Sequence, residues 1–381
     1  MHVVVAIDSL KGSLSSLEAG EAIKTGVERA LPDAHVVVRP VADGGEGTVE
    51  AVTAGMGGRV RTVTVTGPLG EPVACPYGIL ADGRTAVIEM AGAAGLPQVP
   101  EDRRDPMVTT TYGVGQIIRD AMENGCRRFF VGIGGSATND GGAGMLQALG
   151  FGLLDRNGRQ IPFGAAGLKD LASIDASGVV PALAECSFRV ACDVTNPLCG
   201  PSGCSAVYGP QKGASPAMIE KMDGWLANYA TLAAESFPGA DPNASGTGAA
   251  GGMGFAFLTF TKAVLEPGIR IVLEETGLED HIRRADVVVT GEGRLDGQSV
   301  MGKTPVGVAQ LAKKYGKPVL AFAGCVTPDA GACNGAGIDA FFPILRAPVT
   351  LREAMDPDNA RANMAAAAEQ AFRLVGALGN F

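Results

Sequence analysis

The stretch Val3-Val4-Val5-Ala6-Ile7-Asp8-Ser9-Leu10-Lys11-Gly12-Ser13 decides the fold. Its apolar half is strand-sized and does not alternate, which is the pattern of a strand buried on both faces of a parallel sheet. The polar, glycine-containing half follows at once, so Asp8, Ser9 and Lys11 stand at the carboxyl end of that strand. Ligands of open α/β sheets bind at that end. The same texture returns late in the chain. There the apolar residues 285–290 run into Gly291-Glu292-Gly293-Arg294-Leu295-Asp296-Gly297-Gln298-Ser299, again an apolar strand ending in a polar turn.

Working outward, residues 1–66 read β-α-β-α-β. Ser15 and Glu18 fit a capping box, and Ala19, Ile23, Val27 and Ala30 make a helical stripe that Pro32 stops. Residues 36–41 form a second strand, 46–54 a helix and 60–66 a third strand, before Gly67-Pro68-Leu69-Gly70 punctuates the chain. The texture then changes. Residues 73–80 and 85–90 read as an antiparallel hairpin. Helix 115–123, strand 128–133, helix 143–149, strand 188–191 and helices 216–236 and 255–264 follow. From 287 the α/β pattern resumes, with helix 305–314, strands 318–323 and 340–343 and a closing helix 359–378. The expected class is therefore α/β in two domains. Residues 1–66 plus 287–381 build one discontinuous domain, and 67–286 is a mixed α/β domain inserted into it.

Composition narrows the function. With 381 residues, 46% hydrophobic and 19% charged, the chain is long enough for two cores and too apolar to be disordered. The net charge of −9, and the absence of any Lys/Arg run longer than two, argue against nucleic acid. No apolar run approaches the roughly 18 residues of a membrane span. No basic leader or cleavage-site pattern is visible, so the expected location is the cytoplasm. The eight cysteines form no CxxC pair and have no neighbouring histidine, which speaks against zinc. With three histidines, each in or beside an ordinary strand or helix, Ser-His-Asp and Cys-His chemistry lack an obvious base. The chemistry falls to carboxylates, lysines, arginines and backbone amides.

Five polar, Gly-rich segments follow apolar strands. Three are residues 8–13, residues 42–48 with Asp43, Gly44 and Gly45, and residues 291–299. The fourth, residues 132–142, contains Gly134, Gly135, Ser136, Thr138, Asn139 and Asp140. The fifth is Cys192-Asp193-Val194-Thr195-Asn196-Pro197. Drawn from both domains, they are the layout of a cleft. The 132–142 segment, with a helix starting near Gly142, resembles a phosphate site in which amides and a helix dipole converge. It is neither a Walker A motif nor a dinucleotide fingerprint. A tight structural turn is the competing reading. The glycine run 246–254 allows either a second phosphate site or close helix packing, with packing preferred.

Among carboxylates, Asp8, Asp43, Asp193 and Asp296 each follow a strand. Asp43, before two glycines, also reads as a turn former. Lys11, Arg294 and Lys303 supply cations for an acidic substrate or a triphosphate. Lys212, in Gly209-Pro210-Gln211-Lys212-Gly213, reads better as a surface lysine whose stem lies along the protein.

Taken in order, these blocks resemble the type-1 glycerate kinase family. They are residues 8–13, Pro40 to Thr48, Gly132 to Gly150, Ala191 to Leu198, Tyr208 to Ala214 and Thr290 to Lys303, and the resemblance covers essentially the whole chain. Small departures at Leu10, Cys199, Cys204 and Tyr208 remove no charged group. The resemblance implies a discontinuous flavodoxin-like (Rossmann-like) domain with an inserted mixed α/β domain. It also implies ATP-dependent phosphorylation of D-glycerate with Mg2+, 2-phosphoglycerate being the expected product.

On that basis, Gly134, Gly135, Ser136, Thr138 and Asn139 are expected to cradle ATP phosphates. Asp193 and Asp296 are expected to share Mg2+ binding and the orientation or deprotonation of the hydroxyl. Lys11 and Arg294 offset negative charge, and Asp8, Ser9, Asp43, Gly44, Gly45, Asn196, Gln298 and Ser299 contact the substrate. The alternatives are formation of 3-phosphoglycerate, another small hydroxy acid as acceptor, and a non-catalytic sensor of phosphorylated sugar acids. Partners are small molecules, and a homo-oligomer is left open.

Overall fold

A computed structural model describes all residues except Glu46, Gly302, Asn380 and Phe381, together with the side chain of Met301 left aside. Glu46, expected to open the first domain's second helix, thus lies outside the described residues. The strands in chain order are β1 (His2–Val5), β2 (His35–Val38), β3 (Arg59–Thr66), β4 (Pro72–Ile79), β5 (Thr85–Glu89), β6 (Arg128–Gly132) and β7 (Gly152–Leu154). They continue with β8 (Ser173–Asp175), β9 (Ser187–Ala191), β10 (Ala263–Glu266), β11 (Val287–Leu295), β12 (Val319–Val326) and β13 (Ala340–Pro343). The chain is α/β, and it divides into two compact units.

The first unit comprises residues 1–43, 50–56 and 269–381. Its sheet has the order β13-β12-β11-β1-β2, and every neighbouring pair is parallel. Counted within the unit, from β2 outward, this is the 2-1-3-4-5 order of flavodoxin-like sheets. The order reverses between β1 and β11, and that switch point is where a crevice opens at the carboxyl ends. Val3–Val5 of β1 and Val287–Val289 of β11 are buried apolar runs, as a sheet covered on both faces requires. On one face the helices Ser16–Ala30 and Pro357–Leu378 meet so closely that a Cβ on Gly26 would stand 2.2 Å from the Ala365 carbonyl. The Ser15–Glu18 capping box is formed.

The second unit comprises residues 44–49 and 57–268. Its main sheet runs β10-β9-β6-β5-β4-β3, and β7 and β8 form a small separate ladder. β10, β9, β6 and β5 are parallel to one another, whereas β3, β4 and β5 form an antiparallel meander. The core carries an aromatic seam in which Phe129 stacks on Phe188 with ring centroids 4.7 Å apart.

Four expectations change. β3 does not join the first sheet. Gly67 donates its N–H to the Glu71 carbonyl and Gly70 sits at φ +88°, so the chain turns back and β3 pairs with β4 along its whole length. A connection this short joins antiparallel neighbours, so the turn ties β3 to β4. The unit limits fall accordingly near residues 57 and 268, with 269–286 packing in the first unit. The helix expected to reach 264 stops at Phe260, and 263–266 is the edge strand β10 beside β9. Finally, β11 does not end at Thr290. It stays paired to β12 as far as Leu295, which puts Glu292 and Arg294 on a strand instead of in a turn.

Candidate functional site

In the first unit, the carboxyl ends of β1 and β11 line a cavity of about 560 Å³. Asp8, Ser9, Lys11, Asp43, Arg294, Asp296 and Gln298 all face it, and all were expected from sequence to be site residues. Strand periodicity explains part of this. Side chains at i and i+2 of a strand share a face, so extending β11 to Leu295 brings Glu292 and Arg294 to the cavity together. Gly291 ties β1 to β11 and β12 close by. A Cβ there would stand 1.8 Å from the Phe322 carbonyl, and the Gly291 carbonyl accepts the Asp8 N–H at 3.0 Å.

The carboxylates differ in their surroundings. Asp8 is 5% exposed, accepting from the Ser9 N–H at 2.6 Å and from the Thr304 hydroxyl at 2.8 Å. Burial, and then the negative charge of Asp43, push its carboxyl up to about 7, against the pull of Thr304, Ser9 and Lys11. Glu292 accepts from the Ser299 hydroxyl and has Lys303 Nζ at 3.9 Å. Burial raises its carboxyl, and those two partners oppose the rise. Asp296 accepts the Gln298 N–H at 2.9 Å and lies 3.6 Å from Lys303 Nζ. Lys11 and Arg294 are exposed at the cavity, and among the described residues neither forms a salt bridge. The hydroxyl oxygens of Ser9 and Ser13 are buried there without a partner. The cavity thus offers two available cations, a buried carboxylate and unsatisfied hydroxyls, a set suited to a small hydroxy acid.

Ser299 was expected to touch substrate. It is instead fully buried, and its hydroxyl orients Glu292. Glu292 is not among the site residues the sequence suggests, because a glycine-rich polar segment looks like a turn, where alternation carries no information, whereas it is part of β11.

In the second unit, Gly134 and Gly135 are exposed just beyond β6, and Ser136 is 7% exposed. The helix expected to aim its amides at a ligand is short, Ala143–Ala148, and its N-terminal donors are taken within the protein. Asp140, wholly buried, accepts from the N–H groups of Gly142 and Gly144 and from the backbone and side chain of Thr111. The Thr111 hydroxyl accepts from Met145 N at 2.9 Å. Thr138 and Asn139 are buried too, and Asn139 Nδ2 donates to Ser205 Oγ at 2.8 Å. The surface available to a ligand is therefore the Gly134–Ser136 part, and the helix-dipole component of the expectation does not hold.

Lys212 was expected at the surface. It is 2% exposed, and its Nζ donates to Ser136 Oγ at 2.9 Å and to the Thr138 carbonyl at 2.5 Å, so a cation lies directly under the loop. Burial lowers its ammonium to about 8. The turn responsible was visible in the sequence as Gly-Pro before it and Gly after it. Gly213 adopts φ +94°, with its Cβ position 2.2 Å from the Arg104 carbonyl. The 246–254 glycines resolve to packing, since a Cβ on Gly251 would stand 2.1 Å from the Thr138 carbonyl.

Gly44 and Gly45 belong to the same unit. The Gly44 carbonyl lies where a Cβ on Gly132 would be, 2.0 Å away, and a Cβ on Gly44 would be 2.3 Å from that of Ala191. Asp193, past β9, is exposed, and its Oδ1 accepts the Gly268 N–H at 3.3 Å. Asn196 uses both ends of its amide within the protein, toward the Ser202 carbonyl and the Tyr208 hydroxyl, so its side chain holds its loop. Among the described residues no three His, Cys, Asp or Glu side chains are placed to hold a metal, no helix is long and apolar enough to cross a membrane, and all eight cysteines are free.

A family model described as "Glycerate kinase family" matches residues 3–376. The chain is 52% identical to a protein named Glycerate 2-kinase from Escherichia coli (strain K12), over 93% of each chain. It is 49% identical to Glycerate kinase from Bacillus subtilis (strain 168), again over 93% of each. It is similar also to a crystal structure assigned to glycerate kinase 2 from Salmonella typhimurium LT2, with a TM-score of 0.91, 48% identity, and coverage of 99% of this chain and 98% of that one.

Proposed function

The chain belongs to the glycerate kinase family and is a kinase, and from that premise we propose that it transfers the γ-phosphoryl group of ATP to the 2-hydroxyl of D-glycerate in the cytoplasm. The observation that carries the reading is the first unit's switch-point cavity, lined by Lys11 and Arg294, without salt bridges among the described residues, and by the buried Asp8. Glycerate carries one carboxylate and two hydroxyls. Two free cations answer the first, and Asp8, Asp43, Ser9 and Gln298 answer the hydroxyls. Phosphates are assigned to Gly134, Gly135 and Ser136, with the Lys212 charge beneath them. The name borne by the Escherichia coli relative supports position 2 of the acid.

Mg2+ takes oxygen ligands and needs only one or two carboxylates beside phosphates and water. Asp296 in the first unit and Asp193 in the second are each a carboxylate at a strand end, and each by itself has the chemistry to serve as such a ligand. When bound, the ion would neutralise charge on the phosphates. The chain's own residues bind and orient the acid and hold its proton.

The test is release of ADP from Mg-ATP with D-glycerate, followed by phosphorus NMR of the product. Turnover with the phosphorus coupled to the C2 proton is expected. A signal at C3 would move the attacking hydroxyl, and turnover on tartronate but not on D-glycerate would replace the acceptor.

A further inference from the structure

We propose that Asp8 accepts the proton of the hydroxyl that becomes phosphorylated, with Thr304 as its positioning residue. The inference rests on reading the switch-point cavity as the acceptor site. Four carboxylates line that cavity, Asp8, Asp43, Glu292 and Asp296, and their partners separate them. Glu292 and Asp296 share Lys303, whose Nζ lies 3.9 and 3.6 Å from them, and Glu292 also accepts from the Ser299 hydroxyl, so both are already partnered inside the protein. Asp8 forms no salt bridge among the described residues and is the most buried of the four.

Its two oxygens are fixed by one donor each, Ser9 N–H on Oδ1 and the Thr304 hydroxyl on Oδ2. A carboxylate oxygen has two acceptor sites, so each keeps one for a ligand. Burial and Asp43 bring its titration to about 7, where a base is both present in its active form and strong enough to work. The charged groups around it are Asp43 and Lys11 and, in the same cavity, Glu292, Arg294, Asp296 and Lys303. Ser9 and Ser13 line the cavity beside Asp8.

The step balances. The acceptor O–H bond breaks and its proton passes to Asp8 as the oxygen bonds to the γ-phosphorus. The bond from that phosphorus to the ADP oxygen breaks with its electron pair, and Asp8 later returns the proton to water.

The experiment uses the full chain with Mg-ATP and D-glycerate across the pH range. Wild-type kcat is expected to rise with pH through a midpoint near the Asp8 value of about 7. Asp8→Asn is expected to lower kcat roughly 10²–10³-fold, with both KM values changed less than about threefold. Thr304→Val removes a donor that favours the carboxylate, so the midpoint moves upward while the alkaline plateau stays within about fivefold of wild type. A purely structural Asp8 would not produce that shift. Near-normal kcat in Asp8→Asn, or an unmoved midpoint in Thr304→Val, overturns the proposal. If Asp8→Asn does not fold, Thr304→Val decides alone. A wild-type protein that releases no ADP with D-glycerate overturns the functional reading itself, and this inference with it.

Discussion

Arg294→Met is expected to lower kcat/KM for D-glycerate by roughly 100-fold, about 3 kcal/mol, while KM for ATP changes less than about threefold. Arg294 reaches the cavity because β11 remains paired to β12 through Leu295, which fixes its backbone against that strand. Among the described residues it forms no salt bridge, so its charge is available to a carboxylate and little of the described pairing is lost with it. Arg294→Lys should recover only part of the loss, since lysine restores the charge but not the two-pronged geometry. If the effect falls on KM with kcat kept, Arg294 holds the acid equally in ground and transition states; a fall in kcat assigns it to the transferring phosphoryl group. Steady-state kinetics of the three proteins decide. A change below about fivefold in the methionine variant removes Arg294 from the site.

Gly291→Ala has the largest expected effect on stability, a loss of about 3 kcal/mol or more. The added Cβ would lie 1.8 Å from the Phe322 carbonyl and 3.1 Å from Ile7 Cδ1. The first of these is backbone of the adjacent central strand, so relief requires β11 and β12 to separate. At roughly 2–4 °C per kcal/mol for a unit of this size, Tm falls by about 6–12 °C. Activity should fall with it, because the displaced Gly291 carbonyl also holds the Asp8 N–H. Gly224→Ala is the control. It lies inside the helix Pro216–Ser236 with open space at its Cβ, and is expected to be neutral or to stabilise by about 0.5–1 kcal/mol. Thermal unfolding of both variants checks the pair, and a Gly291→Ala protein within about 1 kcal/mol of wild type would show that the strand ladder accommodates a side chain.

What the sequence made legible followed from local chemistry. The unbroken apolar run 3–7 announced a central parallel strand, Ser15 and Glu18 a capped helix, and the polar residues after each strand the carboxyl-end groups. Asp8, Lys11 and Asp43 reached the cavity for that reason. The failures were of another kind. β3 differs from the expected sheet because strand pairing is decided by the turn and the partner, and residues 263–264, read as the end of a helix, form β10 because they pair with β9. Lys212 was misjudged because its burial depends on a turn locked against the Arg104 carbonyl, far away in sequence. Asp140 sits in a loop that reads as a ligand cradle, yet its carboxylate supplies the internal cap of the following helix. A glycine-rich loop looks the same in sequence whether its amides face a ligand or a neighbouring carboxylate.

The most direct test of the account is a crystal structure of this chain with D-glycerate bound. The expected result is the acid in the first unit's cavity, its carboxylate within hydrogen-bond distance of Lys11 or Arg294 and a hydroxyl on Asp8. An acid found on the Gly134–Ser136 segment, with the cavity between β1 and β11 holding only water, would contradict the assignment.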